Sequence, residues 1–92
     1  MNKTIYKYQM PVKEEFKLVL PRNAEILRLS DIDGLFWLWA LVDLNEPNET
    51  RKFRAFKTGS EIPEDLTLLY RGCCAIFVQM ELMLYIFEEI NV

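Results

Sequence analysis

Apolar and polar positions along this chain recur with a period close to two, the signature of strands rather than helices. Residues 3–10, KTIYKYQM, place Thr4, Tyr6, Tyr8 and Met10 on one face and Ile5 with Lys3 and Lys7 on the other. Pro11 closes that strand, and EEFKLVL then puts Phe16, Leu18 and Leu20 on a common face. The two segments are expected to form an N-terminal hairpin turning at residues 11–13. A turn at Pro21, Arg22 and Asn23 leads into a third strand, where Leu27 and Leu29 alternate with Arg28 and Ser30 while Ile26 falls on the polar side. Asp33-Gly34 follows and is the strongest local hairpin signal, because a two-residue turn of the right hand needs positive φ at both central positions.

The run LFWLWALVDL, residues 35–44, carries no charge before Asp43. Its two faces, Leu35, Trp37, Trp39, Leu41 and Phe36, Leu38, Ala40, Val42, are both apolar. A strand exposed on one side alternates, so this one is predicted to be central, with protein on each face. The polar loop NEPNET separates it from RKFRAFKTG, where Phe53 and Ala55 face one way and Lys52, Arg54 and Phe56 the other. That basic strand is expected to pair antiparallel with the tryptophan strand through the loop. In residues 66–90, Met and Leu favour a helix on propensity, whereas Gly72, the β-branched Ile76, Val78 and Ile86, and the aromatics Phe77, Tyr85 and Phe87 favour a hairpin turning near residues 79–81. The predicted fold is all-β and mainly antiparallel, with about six to seven strands in a small sandwich or partly open barrel. An α+β arrangement with a C-terminal helix is the alternative.

With 92 residues, 51% of them hydrophobic, the chain can build one core but not two, so residues 1–92 are expected to form one domain. A domain this small hides only about 60–65% of the surface its unfolded chain exposes. Together with an aromatic content of 13%, this predicts that apolar surface is left over and that the chain is a homo-oligomer. The expected self-association face is drawn from Phe36, Trp37, Leu38 and Trp39. A net charge of −3 with 27% charged residues excludes a disordered chain and argues against a generic DNA binder. The polar N-terminus lacks the apolar run of a secretory signal, and no stretch suits a membrane helix, so a cytoplasmic location is expected.

Cys73 and Cys74 are adjacent and have no other cysteine to pair with, which removes a disulfide framework. In a strand, one thiol should face the core and the other the opposite side. The chain contains no histidine, so Ser-His and Cys-His nucleophilic machinery and the commonest metal ligand are missing together. The carboxylate pairs Asp31 with Asp33 and Glu88 with Glu89 lack the ligand spacing of a known cation loop, and read as turn acids or solvated strand ends. A non-enzymatic protein without cofactors is therefore expected. Arg51, Lys52, Arg54, Phe56, Lys57 and Thr58 form the candidate ligand or partner surface, since cations interleaved with aromatics suit phosphates and stacked bases. Lys and Arg on a solvated edge strand are the competing reading.

Three fragments in this order and spacing, IYKY (residues 5–8), LWALVD (residues 38–43) and RKFRAFKTG (residues 51–59), resemble a domain-of-unknown-function family of small phage and prophage proteins of similar length. The family pattern has an opening tyrosine-containing strand, a central LWALVD-type strand, a basic strand closing in a Gly-Thr-Gly-His-Pro-type turn, and a C-terminal hairpin. Here that turn reads Lys57, Thr58, Gly59, Ser60, Glu61, so the family's histidine is missing; Gln79, Met80 and Glu81 replace a glycine-rich hairpin turn. The resemblance implies a phage product acting inside a bacterium. Small non-enzymatic phage proteins often work by binding and blocking a host factor, including components of host defence, so a protein that binds a host protein and inhibits or redirects it is expected. A nucleotide or nucleic acid bound on residues 51–57, as in a sponge for a defence signal, is the alternative.

Overall fold

The structure, a computed structural model, describes residues 2–90; Met1, Asn91 and Val92 of the expected domain lie outside them. Among the described residues there are seven strands and no helix: β1 (Thr4–Met10), β2 (Glu15–Pro21), β3 (Glu25–Ile32), β4 (Leu35–Val42), β5 (Asn48–Lys57), β6 (Leu68–Val78) and β7 (Met80–Glu89). All pairings are antiparallel, in a three-stranded sheet ordered β1-β4-β3 and a four-stranded sheet ordered β2-β5-β7-β6. The overall extents of 45 × 34 × 15 Å match two sheets stacked at the usual spacing of roughly 10 Å. The all-β expectation holds, in the form of an open sandwich rather than a closed barrel. No helix among the described residues is long and apolar enough to cross a membrane.

Two of the expected hairpins form. Asp33 (φ 52°) and Gly34 (φ 80°) supply the two positive dihedrals that join β3 to β4. β6 and β7 turn at Gln79 (φ 68°), with Val78 opposite Met80, so the C-terminal third is strand and not helix. β4 is central, between β1 and β3.

Two expected pairings do not form. β1 lies on β4 and β2 lies on β5, so the segment around Pro11 crosses between layers instead of closing an N-terminal hairpin. That segment has no positive-φ residue to turn the chain back tightly. Similarly, β4 and β5 belong to different sheets. The loop between them folds on itself: the Asn45 N–H donates to Asp43 Oδ1 at 3.0 Å, and the Glu46 N–H to the Asp43 carbonyl at 3.1 Å. The Pro47 carbonyl then accepts from the Arg22 N–H at 2.8 Å, tying this crossing to the loop after β2. An Asx turn redirects the backbone through its own side chain, which is why the loop passes over the end of the sandwich.

Between the layers lie Met10, Phe36, Leu38, Ala40 and Val42 from the first sheet and Phe16, Leu20, Phe53, Ala55, Cys74, Leu84 and Ile86 from the second. Phe16 and Phe53 stack at 5.3 Å. The other face of β4 is not covered by a further layer of the described residues. Its Trp37 and Trp39 are half-buried under cationic side chains of the flanking strands, with Lys7 Nζ 4.3 Å from the Trp37 ring and Arg28 Cζ 5.3 Å from the Trp39 ring. Long cationic stems cover aromatic faces while their charges stay in water, so an apolar run here needs no second protein layer.

β6 comes close to β3 at the open side. Gly72, at φ 155° within a bulge, leaves room for Leu29, whose Cβ would lie 3.0 Å from a Cβ at that position. Further along, the Ala75 N–H donates to Asp31 Oδ1 at 2.8 Å. Asp31 thus holds two sheets together at a seam rather than serving as a turn acid.

Candidate functional site

The basic strand β5 divides its cations between two environments. Arg51 shares the inward face with Phe53 and Ala55, while Lys52, Arg54 and Phe56 point outward. Arg51 Nε and Nη2 donate to Glu88 Oε2 and Oε1 at 2.6 and 2.7 Å, and Nη1 donates to the Ala24 carbonyl at 2.6 Å. Arg71, in the bulge of β6, adds Nε and Nη2 contacts to Glu88 Oε1 at 3.0 and 2.8 Å. Glu88 is only 5% exposed, so one carboxylate is clamped by two guanidiniums at the end of the sandwich. Burial pulls its proton affinity up, but the hydrogen bonds and charges of Arg51 and Arg71 outweigh this and hold the carboxyl below its ordinary range. The bond to Glu88 correspondingly raises Arg51. Glu88 is therefore a buried ion-pair partner, not a solvated strand end, and all three guanidinium nitrogens of Arg51 are engaged within the chain. The strand parity that sets Arg51 beside Phe53, and Glu88 beside Leu84 and Ile86, was the available signal.

On the outer face, Arg54 pairs with Glu15 at 2.6 Å and Glu89 at 3.4 Å. Lys52 and Lys57 are exposed, and Thr58 sits in the turn before Gly59. Phe56 leads elsewhere: its ring meets Phe87 edge-on at 5.8 Å, and Phe87 meets Tyr70 at 5.2 Å. Tyr85 lies directly across from Phe56, and Cys73 across from Tyr85. Tyr70 is 53% exposed and Tyr85 36%. The outer face of the four-stranded sheet thus carries an aromatic platform of Phe56, Tyr70, Tyr85 and Phe87, bordered by Arg54 and Lys52. Strand alternation alone brings Phe56 to this surface but not its three ring partners, which only the β5–β7–β6 pairing assembles.

A family model for a domain of unknown function, DUF7352, matches residues 1–92. The chain belongs to the DUF7352 family. No curated protein and no solved structure matches it. Within this DUF7352 domain the remaining candidates fall on both sides of one strand: Phe36 and Leu38 are in the core, at 1% and 0% exposure, whereas Trp37 and Trp39 face outward. The thiols also divide as strand geometry requires, Cys74 inside and Cys73 half-exposed. Burial, with Asp31 and Cys73 adding to it, pushes the Cys74 thiol up to about 12. Among the described residues, no three His, Cys, Asp or Glu side chains gather as a metal site would require.

Proposed function

We propose that this DUF7352 protein is a non-enzymatic, phage-encoded interaction module. It acts in the bacterial cytoplasm, where it binds a host protein and inhibits or redirects it. The supporting observation is the aromatic platform of Phe56, Tyr70, Tyr85 and Phe87. Two exposed tyrosines on two half-buried phenylalanines, bordered by charge, have the composition of a protein-binding surface, in which aromatic and Arg anchors carry most of the affinity. The nucleotide-binding alternative draws less support, since Arg51 and Arg54 are both engaged within the chain and leave Lys52 and Lys57 as the cations of β5 without an ion pair among the described residues.

The test is capture from bacterial lysate with the tagged chain, identification of the retained protein, and titration of the purified pair. Tyr70→Ala with Phe87→Ala should weaken that complex at least about 100-fold while the chain stays folded. Binding insensitive to both substitutions, or salt-sensitive binding to cyclic oligonucleotides that Lys52→Ala abolishes, would remove the proposal.

A further inference from the structure

The outer face of the three-stranded sheet is built in rows that the strand register sets. Lys7 on β1 and Arg28 on β3 lie directly across from Trp39 of β4, one on each side. In the next row Gln9 and Ser30 flank Trp37 in the same way. Residues directly across from each other share a face, so all six side chains point away from the core, which takes Phe36, Leu38 and Ala40 from β4 instead. The chain's two tryptophans thus stand side by side on the central strand, one flanked by two cations and the other by two neutral hydrogen-bonding groups.

These cations differ from the arginines of the other sheet. Arg51, Arg54 and Arg71 are all held by carboxylates, whereas Lys7 and Arg28 are exposed and have no ion pair among the described residues. Each rests its charged head near a ring, Lys7 Nζ 4.3 Å from Trp37 and Arg28 Cζ 5.3 Å from Trp39. The two rows hold no carboxylate, and the row beyond them brings in Glu25, across from Leu41. A chain of net charge −3 therefore carries a local basic patch laid over aromatic rings.

We infer that this face, formed by Lys7, Gln9, Arg28, Ser30, Trp37 and Trp39, binds a short segment of single-stranded nucleic acid. Phosphates complement the two unpaired cations, and indole rings accept the faces of unpaired bases. The Gln9 amide and the Ser30 hydroxyl beside Trp37 supply the donors and acceptors that a base edge needs. When a base takes a ring face, the cation resting there swings on its long stem to the phosphate that arrives with the base. The cation then exchanges a ring quadrupole for a full negative charge. A duplex does not fit this chemistry, because its bases stack on one another and present only their edges. The face lies on the opposite sheet from the aromatic platform and is independent of what that platform binds.

Intrinsic fluorescence of the full chain tests this, because both tryptophans are in the site. Oligothymidylate and oligouridylate of about eight nucleotides, a usual single-strand site size, should quench it saturably at low salt. Two phosphate contacts should give a slope of about −1.4 in log K against log salt concentration, roughly −0.7 for each. Lys7→Met with Arg28→Met keeps apolar cover on the rings and removes the charge. That variant should keep its far-ultraviolet spectrum, bind at least about 10-fold more weakly and lose most of the salt slope. Gln9→Ala should weaken binding without changing the slope, as a contact to a base rather than a phosphate does. Lys17→Ala, which removes an exposed cation of β2, should bind as the wild type does and so separates this face from net charge. No quenching by about 100 μM oligomer, the weak end of even non-specific binding, would overturn the inference. Quenching indifferent to Lys7→Met with Arg28→Met would overturn it too, as would a duplex or an oligoglutamate that binds as tightly. Binding lost in Lys52→Ala but kept in the Lys7 and Arg28 variant would place the ligand on β5 and overturn it as well.

Discussion

Arg51 grips both oxygens of Glu88, at 2.6 and 2.7 Å, while its third nitrogen holds the Ala24 carbonyl at 2.6 Å just ahead of β3. One side chain thus joins β5 to β7 and reaches toward the opposite sheet. Removing one partner of a buried pair leaves the other desolvated and uncompensated, so Arg51→Ala should destabilise the fold by about 3 kcal/mol in urea unfolding. Replacing Arg51, Glu88 and Arg71 together by Met, Leu and Met should be nearly neutral or stabilising, because no stranded charge remains.

The same clamp sets an acid dependence. The folded-state Glu88 carboxyl lies below the usual 4.5, so its contribution is fully present above that value and is lost as pH falls through the lower, folded-state value. Unfolding free energy should decline as pH is lowered below 4.5, and Glu88→Gln should flatten that decline while lowering stability at neutral pH. If the Glu88→Gln protein kept the full wild-type acid slope, other carboxylates would have to carry it.

Gly72 and Leu29 meet where the two sheets come closest. A methyl group at residue 72 would sit 3.0 Å from the Leu29 Cβ, and the backbone there, at φ 155°, disfavours any side chain. Gly72→Ala should cost about 2 kcal/mol, measured by thermal or denaturant unfolding, from contact and backbone strain combined. Gly34→Ala, with open space around it, should cost only about 1 kcal/mol, since it meets the backbone penalty alone.

Strand identity was legible because period-two alternation is a local property, and Asp33-Gly34 carries its own turn geometry. Strand partners were not, since the segments at Pro11 and at Asp43 to Pro47 pass between layers. A polar loop reads the same whether it closes a hairpin or crosses the sandwich. The inward charge of Arg51 and Glu88 could be read from parity, but their meeting depends on β5 pairing with β7 across a long stretch of chain. Likewise, the apolar outer side of β4 called for cover. That the cover would be Lys7 and Arg28 followed only from the register of β1 and β3 on Trp37 and Trp39.

Gln79 turns the β6–β7 hairpin at φ 68°, a conformation that an L side chain adopts at a penalty of about 1 kcal/mol and glycine adopts freely. Gln79→Gly should therefore raise stability by a few tenths to about 1 kcal/mol, the gain partly offset by the freer unfolded chain. The measurement is the urea midpoint at constant m-value; a lowered midpoint would mean that the Gln79 side chain makes a contact worth more than the strain.

Cys73 and Cys74 differ by environment rather than by chemistry, and that difference is measurable. The nucleophile is the thiolate, and burial lifts the Cys74 thiol to about 12 while leaving it only 1% exposed. In the folded chain at about pH 8, near the ordinary thiol range, a thiol-reactive dye should therefore label Cys73 alone, and Cys74 should react only on unfolding. The rate of that second labelling reports opening of the core around Cys74, so Gly72→Ala, close by on the same strand, should accelerate it roughly 30-fold if its effect is the expected cost of about 2 kcal/mol. Equal labelling of both thiols in the native state would mean that β6 does not hold its inward face against the core, and the seam built by Leu29, Gly72, Asp31 and Ala75 would have to be redrawn.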